Sequence, residues 1–66
     1  MNIIVNGEPR DVSDGTTVAG LLDELGIERT RVAVEVGLDI VPKNRYAEHA
    51  LQAGDRVEIV HFVGGG

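Results

Sequence analysis

The chain has 66 residues, of which 42% are hydrophobic and 26% charged, with a formal net charge of -5 and no cysteine. One small domain fits that length, burying about 60% of its unfolded surface, which argues against a deep active-site cavity; the composition argues against disorder, disulfides and thiolate metal sites. The six basic residues are dispersed rather than set along a stripe, which argues against nucleic acid, and no apolar run approaches the roughly 18 residues of a membrane span.

Met1 to Asn6 alternates, with Met1, Ile3 and Val5 on one face, and Asn6-Gly7 follows at once. Asn-Gly favours a type I′ hairpin turn, and Pro9 limits ladder pairing, so a short return strand centred on Val12 is expected. From Thr17 the period changes to about 3.6. Val18, Leu21, Leu22 and Leu25 form one apolar stripe, Thr16 or Thr17 caps its start, and Gly26 supplies the left-handed residue that ends it. Gly20 inside this helix costs about 1 kcal/mol against alanine, which suggests close backbone packing on a sheet.

Arg31 to Val36 alternates again, Gly37-Leu38-Asp39 turns the chain into Ile40-Val41, and Pro42 closes that strand. Lys43 to Ala53 is weakly helical or irregular, with Tyr46, Ala50 and Leu51 as its expected core contacts and Tyr46 as an amphipathic residue at the core edge. Gly54-Asp55 turns into a last strand over Arg56 to Val63. Val57, Ile59 and His61 are expected on one face, with Glu58, Val60 and Phe62 on the other. The order β, β, α, β, β, short helix, β predicts an α+β, ubiquitin-like β-grasp fold: a mixed four- to five-stranded sheet with one main helix and a short second one. Residues 1–63 form that domain and 64–66 a flexible tail. In this arrangement the first and last strands lie side by side at the centre.

No phosphate-binding loop, His-Glu-x-x-His motif or nucleophile with an adjacent base is present, so neither catalytic residues of its own nor a bound cofactor are expected. His49 and His61 lack a third ligand, so no metal is expected either. Gly64, Gly65 and Gly66 add nothing to a core. Without Cβ atoms they suit threading into a partner's channel, and the Gly66 carboxylate could then be the working group; on the glycines alone, a linker remnant or frayed end accounts for them equally well. Val60 and Phe62, next to the tail on the outer sheet face, are expected to dock that partner. A terminal carboxylate, with an ordinary pKa of about 3.3 to 3.7, is ionised and a poor electrophile. It would need activation by a separate adenylating enzyme using ATP. No signal peptide is visible, so a cytoplasmic location is expected.

The ending Val57 to Gly66, with Leu51-Gln52-Ala53-Gly54-Asp55 and Ile40-Val41-Pro42-Lys43 before it, closely resembles the ThiS family of bacterial thiamin-biosynthesis sulfur carriers along essentially the whole chain. The resemblance implies that a ThiF-like adenylating enzyme activates Gly66. A persulfide sulfur donor then converts it to a thiocarboxylate, which delivers sulfur to a ThiG-like thiazole synthase for the thiazole ring of thiamin. Rival readings are a molybdopterin-synthase small-subunit type of carrier and a non-catalytic β-grasp interaction module.

Overall fold

The structure, a computed structural model, describes residues 1–62. Strand β1 (Asn2–Val5) and strand β2 (Glu8–Asp11) form an antiparallel hairpin across Asn6-Gly7. Both turn residues have positive φ, 49° at Asn6 and 84° at Gly7, as a type I′ turn requires. The return strand starts immediately after the turn and includes Pro9, rather than centring on Val12, which lies just beyond it as a buried core residue. Pro9 is tolerated because of its register. It stands opposite Ile4, whose N–H is turned the other way to the Asp55 carbonyl, so no ladder bond on the β1 side asks for a donor at Pro9.

Helix α1 spans Val18–Leu25. Thr17 caps it, its hydroxyl accepting from the Gly20 N–H at 3.1 Å, and Gly26 ends it at φ 70°. The two preceding free donors of the first turn find carbonyls elsewhere: Val18 N–H donates to His49 at 3.0 Å and Ala19 N–H to Tyr46 at 2.9 Å. The irregular segment after residue 43, which opens with a 3-10 turn over Lys43–Arg45, therefore completes the helix start. Its Tyr46 is not an edge residue but one of the largest fully buried side chains, 1% exposed. Ala50 is exposed, and only its backbone takes part, in a bridge to Thr17. The sheet does not require a bare backbone at Gly20. A Cβ placed there would meet only Thr17 Oγ1 at 3.5 Å and Thr16 Cγ2 at 3.7 Å.

Strand β3 (Val32–Val36) pairs antiparallel with β4 (Asp39–Val41) and with β5 (Arg56–His61). β1 runs parallel to β5, which gives one mixed sheet in the order β2-β1-β5-β3-β4. This is the ubiquitin-like β-grasp. The last strand is the middle one of five. Val18, Leu21 and Leu22 of α1 pack on Ile3, Val32, Val34, Val41, Val57 and Ile59, with Val12, Tyr46 and Leu51 closing the ends of the core. Among the described residues, no helix is long and apolar enough to cross a membrane.

Candidate functional site

The end of β5 is held from both sides. Toward β3, Val60 stands opposite Ala33 and His61 opposite Val32, and beyond the strand the Phe62 N–H donates to the Arg31 carbonyl at 2.9 Å. Toward β1, the backbone contact ends where Asn6 N–H donates to the Val57 carbonyl at 2.9 Å. The Asn6 side chain then continues it: Ile59 N–H donates to Asn6 Oδ1 at 2.7 Å, and Asn6 Nδ2 donates to the Ile59 carbonyl at 3.3 Å.

Alternation sorts the β5 side chains as expected for all but one. Val57 and Ile59 are buried under α1, whereas Val60 and Phe62, on the outer face, are 57% and 58% exposed. His61, the last residue of β5 and opposite Val32, falls by alternation on the side of Val57 and Ile59 but is exposed rather than part of the core. Two features of this face escape the sequence. The Lys43 Nζ lies 4.9 Å from the centre of the Phe62 ring and donates to the Thr30 carbonyl at 3.4 Å. That places a cation over the aromatic face and ties the segment after β4 to the end of β5. Glu35 and Glu58 are directly opposed on the same outer face, an acidic row two register positions from Ala33 and Val60. Past it stands Ile40, 70% exposed, opposite Glu35; Leu38 in the β3–β4 turn is 98% exposed. The sequence offers Ile40 and Leu38 as ordinary apolar residues; the outer face of the edge strand β4 exposes the first and the turn before it the second.

The tail residues Gly64, Gly65 and Gly66, and the domain boundary at Val63, lie outside the described residues. What the described part supplies is a rigid base. Phe62 is fixed at its N–H and at its ring, one residue short of the end of the predicted domain. Among the described residues, no three histidine, aspartate or glutamate side chains are grouped to hold a metal ion. His49 is half-buried and gives its backbone carbonyl to α1.

The ThiS family model matches residues 3–66. The chain is 30% identical to the sulfur carrier protein ThiS of Escherichia coli, with each covered in full. It is 52% identical over all its residues to a thiazole synthase of Paramagnetospirillum magneticum, of whose length it spans 20%. The crystal structure of the thiamine biosynthesis protein ThiS from Geobacter metallireducens superimposes with a TM-score of 0.86 at 32% identity, covering both chains completely.

Proposed function

Given that the chain belongs to the ThiS family, we propose that it carries sulfur for thiamin biosynthesis on the carboxylate of Gly66. A ThiF-like enzyme transfers AMP from ATP to that carboxylate, turning a poor electrophile into one with a good leaving group. The terminal sulfur of a persulfide donor attacks the acyl carbon and expels AMP to give an acyl disulfide, and a thiol then cleaves the S–S bond by exchange, leaving the donor as a disulfide and the sulfur on Gly66. The resulting thiocarboxylate passes its sulfur to a thiazole synthase. A thiocarboxylate suits this task because its sulfur is nucleophilic while its acyl carbon remains transferable.

The observation that carries this reading is the position of β5. It is the central strand of the sheet, it presents exposed Val60 and Phe62, and in sequence it leads directly to the three glycines. Val60 and Phe62 dock the partner, Gly64 and Gly65 thread into its channel, and the Glu35–Glu58 row favours a docking face with basic residues. The likeness to a thiazole synthase favours the thiazole route over the molybdopterin one.

The test is whole-protein mass spectrometry after incubation with ATP, a ThiF-like adenylating enzyme, a persulfide source and a thiol reductant. The expected spectrum shows one oxygen replaced by sulfur at the terminus. An unchanged mass would leave a passive interaction module. In a deletion strain, growth restored by molybdenum cofactor precursors rather than by thiazole would assign the sulfur to the rival pathway.

A further inference from the structure

β5 outlasts the strand beside it. β1 ends at Val5, the chain turns back at Asn6-Gly7, and β5 runs on to His61. The next backbone groups of β5 that face the vacated side, after the Val57 carbonyl, are the N–H and C=O of Ile59. One side chain takes both: Asn6 accepts from the N–H at 2.7 Å and donates to the carbonyl at 3.3 Å. A primary amide carries a carbonyl acceptor and an N–H donor in one plane, as a peptide unit does. Asn6 thus adds a rung to the parallel ladder where the backbone has left it.

We infer that Asn6 is a positioning residue, which acts through Ile59 to set the direction in which β5 carries Val60, Phe62 and the residues beyond to the adenylating partner. Its counterpart on the other side is the bond from the Phe62 N–H to Arg31. The turn alone does not ask for an amide. Positive φ at position 6 is available to glycine at lower cost, so the turn and the clamp are separable requirements. With the clamp in place, the end of the strand is ordered before the partner arrives; without it, that ordering is charged to docking. Fixing one residue's backbone costs about 1 to 2 kcal/mol, or roughly tenfold in affinity. The inference rests on the carrier reading above.

Asn6→Gly keeps the turn and removes the amide, and Asn6→Asp keeps the acceptor for the Ile59 N–H and loses the donor. Val12→Ala destabilises the core away from β5 and serves as a control. The full-length proteins are compared by amide hydrogen exchange and by ATP–pyrophosphate exchange with a ThiF-like adenylating enzyme. In Asn6→Gly, exchange at Ile59 accelerates while that at Val34 does not, and the KM for the carrier rises about tenfold with kcat changed by less than about twofold. Asn6→Asp falls between it and the wild type, and Val12→Ala leaves KM unchanged. A KM for Asn6→Gly equal to that of the wild type, or a rise in KM for Val12→Ala as large as that for Asn6→Gly, overturns the clamp. If the wild type itself supports no pyrophosphate exchange, it is the carrier reading that fails.

Discussion

Tyr46 is the residue whose surroundings most change its chemistry. Burial strips water from its hydroxyl and pushes its pKa above the ordinary 10.0, while a backbone hydrogen bond at Val34 works in the opposite direction. The fold therefore holds the phenol proton more tightly than the unfolded chain does. The stability gained from the neutral ring is fully present below about pH 10 and is lost as the pH rises through the higher folded value. Thermal melts from about pH 8 to 12 are expected to show a fall in Tm above about pH 10 that Tyr46→Phe removes. A fall of the same size in Tyr46→Phe would assign the alkaline transition to another group. That Tyr46 is a core contact is legible in the sequence, but its depth is not. Depth depends on its segment closing over the start of α1, with its carbonyl accepting from Ala19.

At the scale of the element, α1 shows how local and distant groups share one task. The apolar stripe, the Thr17 cap and the Gly26 stop are all local, and each stands where the periodicity predicts it. The partners of the Val18 and Ala19 N–H groups come from residues 46 to 49, far along the chain, and no helix signal foretells them. Gly20 is the element's weak point. Its N–H already serves the Thr17 cap, and a methyl group there would make only ordinary contacts with Thr16 and Thr17. Gly20→Ala is therefore expected to stabilise the domain by about 0.5 to 1 kcal/mol, measured by urea denaturation at unchanged m-value. A loss of stability would mean that the backbone at Gly20 is needed bare for a reason within the fold. The β1–β2 hairpin carries the matching lesson: Pro9 suggests a shortened strand, yet the edge position of β2 makes its missing donor harmless.

For the whole molecule, the division of labour between body and tail decides what a truncation does. Among the described residues the buried core runs from Ile3 to Ile59, and a glycine has no side chain to bury. Deleting Gly66 is expected to abolish sulfur loading in the mass-spectrometric assay while shifting Tm by less than about 2 °C, a change of a few tenths of a kcal/mol. A much larger drop in Tm would give the terminus a structural role. The body in turn presents two distinct faces, one filled by α1 and one open. On the open face Ile40 extends the Glu58–Glu35 row across to β4, and Val60 stands in the next row with Ala33.

The sequence by itself determined the class of the fold, the helix with both its ends, the hairpin turn at Asn6-Gly7 and the sidedness of Val57, Ile59, Val60 and Phe62. All of these follow from periodicities of two and 3.6 residues and from the φ preferences of single residues, which act over a few bonds. The tertiary structure decided the rest: the clamp of Asn6 on Ile59 across 53 positions, the cation of Lys43 over Phe62, the burial of Tyr46 and the exposure of His61 and Ile40. Each of these depends on which strand lies beside which and on where a neighbouring element stops. Such pairings depend on the packing of the whole chain, which local patterns do not encode.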